Sequence, residues 1–212
     1  MRRYWHPVGY SSELTGTGQT KRVRILGEEL VLARTGSGAL LLVQERCPHR
    51  GASLLYGFVE GTNLRCAYHG WLYNQAGECI ERPFESEKTN RIYKKMIKSY
   101  PTRECGGLIF AYLGPAADKP AFPNWDILIR QDGVRHFEVQ DDLACNWLQI
   151  QENAVDVTHT YYLHSKYFER LGLNDGSGFG KSFKRFGFQR FDWGIDMSLL
   201  QRYCRRICQT SS

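Results

Sequence analysis

The strongest structural signal in this chain lies in two stretches, Cys47-Pro48-His49-Arg50-Gly51 and Cys66-Ala67-Tyr68-His69-Gly70-Trp71. Each stretch follows a predicted strand and supplies one cysteine and one histidine, two or three residues apart. Two loops of this kind can close around one ion or cluster from opposite sides. Two thiolates and two imidazoles suit either a tetrahedral zinc ion or a [2Fe–2S] cluster of the Rieske kind.

The order of the ligands bears on these two alternatives. Zinc-finger ligands usually come as Cys-x2-Cys knuckles with the histidines paired separately, whereas each loop here mixes the two residue types. In a Rieske cluster both cysteines bind one iron and both histidines bind the other, and the neutral histidines raise the reduction potential. The pattern favours the iron–sulfur cluster and leaves zinc as the competing interpretation.

The two loops resemble those of the Rieske iron–sulfur proteins, and His69-Gly70-Trp71 resembles the oxygenase branch of that family. Rieske proteins of respiratory complexes carry an additional cysteine in each loop, and the matching positions here are Ala52 and Tyr68. The resemblance implies a [2Fe–2S] cluster held by four residues: Cys47, His49, Cys66 and His69.

A second candidate site lies within residues 146–168, a segment without Gly or Pro that is predicted to be helical. A mononuclear non-haem iron site needs two imidazoles and a carboxylate on one face of Fe(II), with positions left open for O₂. His159 and His164 could supply the imidazoles, but at this spacing they point about 140° apart on an ideal α-helix. The helix must therefore bend or unwind for both to reach one ion. Asp156, one turn before His159, could hold the outer N–H of that imidazole.

Two histidines on a helix are by themselves a weak signal, but this pair follows a Rieske-like module. The segment resembles the iron-binding helix of the Rieske non-haem iron oxygenases. That resemblance implies that His159 and His164 bind iron, and that Asp156 bridges to His69 of a neighbouring subunit in a homotrimer. The opening Arg2-Arg3-Tyr4-Trp5-His6-Pro7-Val8 is similar to the branch with the phthalate dioxygenases and aromatic O-demethylases.

The third iron ligand of this family, an Asp or Glu, comes far downstream of the second histidine. The acidic candidates after His164 lie in no recognisable ligand context; they are Glu169, Asp175, Asp192 and Asp196. Residues 201–212 have lost strand periodicity. We therefore expect a C-terminally truncated or frame-shifted chain.

Strand-like segments separated by turns fill most of residues 21–113, which predicts a small antiparallel sandwich or barrel. A change of composition at residues 114–120 marks a boundary, so we expect a mainly β Rieske domain at 1–115. Residues 116–212 are expected to be the N-terminal part of an α+β catalytic domain. The first strand of its sheet is indicated by four aromatic residues: Phe183, Phe186, Phe188 and Phe191.

The composition of the 212-residue chain excludes several classes of protein. With 13% aromatic and 24% charged residues, disorder is excluded as the main state. The basic residues behind the net charge of +6 are scattered, so nucleic acid is not the expected partner. No apolar run approaches the ~18 residues of a membrane helix, and no signal segment opens the chain, which predicts a cytoplasmic protein. Seven cysteines in that compartment are not a disulfide framework.

With the resemblance, these observations predict the oxygenase component of a Rieske non-haem iron system. A reductase or ferredoxin would deliver electrons from NAD(P)H to the cluster, and Fe(II) would use O₂ to hydroxylate or demethylate an aromatic, carboxylate-type substrate. Electrons would cross the subunit interface from His69 through Asp156 to His159. The main alternative is a ferredoxin-like Rieske electron carrier with a non-functional catalytic remnant. A further alternative is a zinc-stabilised binding domain.

Overall fold

The computed structural model describes residues 1–86, 97–138, 143–172, 185–192 and 194–200. The chain divides into two compact units, Met1–Arg135 and His136–Ser212, and each is described by itself. The first unit is built from antiparallel strands, and the second holds helical segments followed by one hairpin. The predicted fold class, a mainly β domain followed by the start of an α+β domain, is confirmed. No helix of the described ranges is long and apolar enough to cross a bilayer.

Three antiparallel sheets form the first unit. The central sheet has the strand order β2 (Thr20–Ile25), β3 (Glu28–Arg34), β4 (Leu40–Gln44) and β9 (Ser99–Tyr100). A second sheet has the order β1 (Trp5–Tyr10), β11 (Leu108–Tyr112) and β10 (Thr102–Cys105). A third, which carries the ligand loops, has the order β5 (Phe58–Glu60), β6 (Asn63–Arg65), β7 (Leu72–Tyr73) and β8 (Cys79–Glu81).

Strands β3 and β4 of the central sheet are runs of apolar residues and are buried on both faces. Side chains alternate along a strand, so Val31 and Ala33 enter one core while Leu30 and Leu32 enter the other. The first core also contains residues of the region with the two predicted ligand loops, among them Cys47, Cys66, Trp71, Tyr73 and Cys79. The ligand loops are thus anchored in the interior of the unit.

Each predicted strand of residues 21–113 has a counterpart, but β1, β5, β8 and β10 were not predicted. Strand β1 contains Pro7 and a register shift between Pro7 and Gly9, which obscures its alternation. The other three contain only three or four residues each. Such short strands are specified by their pairing partners more than by a pattern of their own.

Residues 116–135, which follow the predicted boundary, belong to the first unit, and Phe122 packs against its strands. The ring of Phe122 lies 5.4 Å from that of Trp5 and 5.0 Å from that of Phe110. The guanidinium carbon of Arg103 lies 4.7 Å from the centre of the Phe122 ring. A short helix, α1 (Asp126–Ile129), follows. The boundary between residues 115 and 116 stays a prediction.

In the second unit, the segment predicted to be helical over residues 146–168 is helical for most of its length, but it is not one continuous α-helix. It is divided into α2 (Trp147–Val155), a π-helical turn (Thr160–Ser165) and α3 (Lys166–Arg170). The break lies at Asp156, whose extended backbone ends α2 and whose Oδ1 accepts a hydrogen bond from the N–H of Thr158 at 2.9 Å. The predicted strand is present as β12 (Arg185–Phe191), and it pairs with β13 (Gly194–Leu200), which was not predicted. Phe183, Asp175 and the tail at 201–212 lie outside the described residues.

Candidate metal centres

Backbone hydrogen bonds close the first ligand loop onto itself. The N–H of Cys47 donates to the carbonyl of Ala52 at 2.9 Å, and that of Gly51 donates to the carbonyl of Cys47 at 2.9 Å. Gly51 has a φ of 72°, in the left-handed region that glycine adopts without steric cost. Beside the loop, the buried carboxylate of Glu45 accepts a hydrogen bond from the Ser53 hydroxyl at 2.7 Å. The loop is therefore held by backbone hydrogen bonds within it and by the Glu45–Ser53 hydrogen bond beside it.

The second ligand loop repeats this arrangement. The N–H of Cys66 donates to the carbonyl of Trp71 at 2.8 Å, and that of Gly70 donates to the carbonyl of Cys66 at 3.0 Å. Gly70 also has a φ of 72°. Arg65 donates to the carbonyl of Gly70 at 2.6 Å and forms ion pairs with glutamates of β5 and β8. Two similar rigid loops thus present the four predicted ligands.

The two predicted ligand cysteines form the inner part of this site. Cys47 and Cys66 are each 2% exposed. The phenol of Tyr73 lies 3.1 Å from Sγ of Cys47. Burial raises the pKa of the Cys47 thiol, and the neighbouring Cys66 raises it further. A buried thiolate needs a compensating positive charge, and an iron or zinc ion would provide that charge.

The two predicted ligand histidines form the outer part of this site. The rings of His49 and His69 are half-buried and lie 4.5 Å apart between centroids, with 67° between their planes. His49 stacks on the indole of Trp71, at 4.7 Å and 2°, and the ring of Tyr68 lies 3.8 Å from that of His69. The donors therefore form one thiol pair and one imidazole pair. That division fits a binuclear cluster in which each pair binds one iron.

In the second unit, His159 and His164 lie at the two ends of the π-helical turn. Hydrogen bonds in a π-helix join residues five apart, so the two histidines lie on nearly the same face. Their ring centroids are 5.2 Å apart, with 63° between the planes. The predicted departure from α-helical geometry is therefore present, and it takes the form of this π-helical turn.

Asp156 occupies the break between α2 and the π-helical turn. Its Oδ1 accepts hydrogen bonds from the backbone N–H of Thr158 at 2.9 Å and from the Thr158 hydroxyl at 2.7 Å. Its Oδ2 lies 3.2 Å from Nδ1 of His159. The Thr158 hydrogen bonds, with a smaller contribution from His159, hold the pKa of the Asp156 carboxyl below its usual range. The carboxylate is thus ionised and placed to orient His159.

Within the described ranges, no three His, Cys, Asp or Glu side chains converge on a single ion position. The ligand side chains meet in pairs, and the third iron ligand stays unassigned. Sequence reasoning did not single out several residues that support the ligand loops, namely Glu45, Arg65, Tyr73 and Arg82. Only Trp71 carried a signal, through its place in the second loop motif.

Comparison with protein families gives a match that spans both ligand loops. Residues 4–101 match the Rieske family, described as the Rieske [2Fe-2S] domain.

Two curated proteins are similar over most of this chain. It is 41% identical over 198 residues to the 5,5'-dehydrodivanillate O-demethylase oxygenase subunit of Sphingobium sp., covering 92% of this chain and 46% of that protein. It is 37% identical over 188 residues to the phthalate 4,5-dioxygenase oxygenase subunit of Pseudomonas putida, covering 87% and 42%. The chain therefore spans slightly less than half the length of these relatives.

Among solved structures, the chain is similar to the Pseudomonas putida CBB5 NdmA QL mutant with theobromine. The TM-score is 0.51 and the sequence identity 31%, over 59% of this chain and 38% of that chain.

Proposed function

Residues 4–101 are a Rieske [2Fe-2S] domain in a chain related to the oxygenase subunits of Rieske systems, and from this premise we propose that the complete protein is an oxygenase component. It accepts electrons from a partner and uses O₂ to hydroxylate or demethylate an aromatic substrate. The observation that carries the proposal is that one chain contains two candidate metal sites, each with a pair of neighbouring histidine rings. One is the pair of loops at Cys47–His49 and Cys66–His69, and the other is the π-helical turn between His159 and His164.

The resemblance to the phthalate dioxygenase and aromatic O-demethylase branch is confirmed, since the relatives include an oxygenase subunit of each kind. These relatives favour the oxygenase over the ferredoxin-like carrier. The match to a [2Fe-2S] domain likewise disfavours the zinc-stabilised binding domain. Because the chain spans less than half of these relatives, the activity of the complete protein belongs to the proposal.

In the proposed cluster site, Cys47 and Cys66 hold one iron, and His49 and His69 hold the other. The cluster supplies one-electron transfer when it is bound. The buried cysteines shield one side from water, while the imidazoles lie on the outer side beside Tyr68, which is 65% exposed. In the proposed site, the side of the cluster with the two imidazoles would therefore be the side that exchanges electrons with other centres.

In the proposed mononuclear site, His159 and His164 hold Fe(II), which supplies O₂ activation when it is bound. Nδ1 of His159 lies 3.2 Å from Oδ2 of Asp156, a contact that favours the proton on Nδ1 and Nε2 as the nitrogen that would bind the metal. A carboxylate accepts about four hydrogen bonds, and Asp156 is 46% exposed. It can therefore accept a further hydrogen bond from His69 of a neighbouring subunit, as the proposed route of electrons in a homotrimer requires.

The proposal also includes the electron donor, the substrate and the cellular location of the protein. The electron donor is a reductase or a ferredoxin that draws on NAD(P)H, and the substrate is a small aromatic compound, expected to carry a carboxylate. A cytoplasmic location fits a supply of NAD(P)H.

The iron and acid-labile sulfide content of anaerobically purified chain tests this function. About three irons for two sulfides are expected when both sites are filled. In a His159→Ala/His164→Ala variant, the ratio should fall to about two irons for two sulfides, with the visible spectrum of the cluster unchanged. A colourless protein without acid-labile sulfide would overturn the proposal. A wild-type ratio of two to two would reduce the chain to an electron carrier.

A further inference from the structure

A buried arginine adjoins the indole that supports a cluster ligand. The guanidinium carbon of Arg82 lies 5.7 Å from the centre of the Trp71 ring, within the range of a cation–π interaction. Arg82 is 8% exposed and Trp71 is 4% exposed. A hydrogen bond from Nη2 of Arg82 to the carbonyl of Cys79, at 3.2 Å, fixes the guanidinium beside β8.

Trp71 connects this cation to both ligand loops. Its carbonyl accepts the hydrogen bond from the N–H of Cys66 at 2.8 Å, which closes the second loop. Its ring stacks on His49 of the first loop with only 2° between the planes. A flat indole held in the backbone of one loop thus limits the rotation of an imidazole that belongs to the other.

The charge of Arg82 is permanent, because a guanidinium does not deprotonate in proteins. Near the surface a charge is screened by water and salt, but a buried charge is screened much less. The reduced cluster carries one more negative charge than the oxidised cluster, and net charge near a cluster is one of the determinants of its potential. A fixed buried cation therefore favours the reduced state.

We infer that Trp71 and Arg82 form a tuning pair for the cluster. Trp71 is a positioning residue that orients His49, and Arg82 raises the reduction potential by stabilising the electron that the cluster receives from its donor. This inference rests on the proposed function, since it requires a cluster on the four loop ligands.

The midpoint potential of the cluster-loaded chain tests the role of Arg82. In Arg82→Met the equilibrium constant for one-electron reduction should fall about three- to tenfold, where tenfold corresponds to 59 mV. Arg82→Lys keeps the charge and should stay within about twofold of wild type. The matched control is Arg103→Met, which removes a cation from the ring of Phe122, away from the ligand loops.

The role of Trp71 has its own spectroscopic test. Trp71→Leu should alter the electron paramagnetic resonance spectrum of the reduced cluster, because the orientation of His49 changes, while Trp71→Phe should restore most of the wild-type spectrum.

If the Arg82→Met variant does not assemble a cluster, Arg82→Gln is used in its place and should show the same fall in reduction potential.

Two outcomes overturn the inference while leaving the proposed function intact. One is a loaded wild-type cluster whose potential changes no more in Arg82→Met than in Arg103→Met. The other is an unchanged resonance spectrum in Trp71→Leu. By contrast, a wild-type chain that contains no acid-labile sulfide contradicts the proposed function itself.

Discussion

The phenol oxygen of Tyr73 lies 3.1 Å from Sγ of Cys47, and both residues are fully or almost fully buried. When a metal holds Cys47 as a thiolate, the sulfur has no proton, so the phenol is the donor of this hydrogen bond. Burial and the contact with Cys47 raise the pKa of Tyr73. The raised pKa keeps the phenol protonated at neutral pH, so it can donate to the sulfur.

Replacing Tyr73 by Phe should lower the reduction potential of the cluster. A hydrogen bond to a ligand sulfur stabilises the more negative, reduced state, and its loss should cost about 1 kcal/mol, a several-fold change in the equilibrium constant. Redox titration of the loaded chain measures the change. Tyr112→Phe is the control, because it removes a buried phenol that bonds instead to the carbonyl of Pro115. Equal potentials in Tyr73→Phe and wild type would contradict the prediction.

Glu45 should make the first unit sensitive to acid. Its carboxylate, 2% exposed, accepts hydrogen bonds from the Ser53 hydroxyl at 2.7 Å and from Arg22 at 3.0 Å. The Ser53 hydrogen bond and the nearby Arg22 hold its pKa below the usual range. A depressed folded-state pKa means that the stabilisation is complete above the unfolded value of about 4.3. It is lost as the pH falls through the folded-state pKa.

Glu45→Gln should therefore lower the free energy of unfolding by about 1 kcal/mol at pH 7, since Arg22 is half exposed and screened. The variant should also lose part of the decline in stability below pH ~4.3. Urea denaturation at neutral and acidic pH measures both effects. Glu29→Gln is the control because its ion pair with Arg24 is exposed on both sides. The prediction fails if Glu45→Gln and wild type decline in parallel with falling pH.

Asp156→Ala should leave both metals bound while slowing electron transfer between them. The carboxylate contacts His159 and is 46% exposed, so its loss removes the proposed bridge and the group that orients one proposed ligand. Such losses typically cost about 10- to 100-fold in activity. The measurement is the rate of cluster reoxidation by O₂ in iron-loaded, assembled protein. Glu152→Gln, on the preceding turn of α2, provides the control. Normal turnover by Asp156→Ala would exclude the bridge.

Insertion of one alanine after Leu163 should abolish iron binding at the second site. The insertion places the second histidine six residues after His159, where the two side chains point about 120° apart on an α-helix, and it breaks the five-residue hydrogen bonding of the π-helical turn. The iron content should fall to about two for every two sulfides, and the cluster spectrum should persist. Leu163→Ala keeps the register and should bind iron as wild type does, since Leu163 is exposed. Iron binding by the insertion variant at the wild-type level would refute the role of the turn.

Features that depend on local spacing were predictable from the sequence alone. The Cys-x-His and Cys-x2-His loops were recognisable because their predicted ligands lie within a few residues of each other. Alternation in β2 and continuous apolar runs in β3 and β4 predicted strands that are present. The spacing of His159 and His164 also required a departure from the α-helix, because helical geometry alone excludes a common face for them.

The side chains that surround the predicted ligands depend on the tertiary structure. The contacts of Tyr73 with Cys47 and of Arg82 with Trp71 depend on how β7 and β8 pair and pack. No sequence motif identifies Tyr73 or Arg82 as a residue that makes such a contact. The same holds for Glu45, which is buried by the packing around Ser53. Contacts between residues distant in sequence are set by the register of the sheets. Local spacing therefore identified the predicted metal ligands, whereas the residues that surround and support them are brought there only by the packing of the fold.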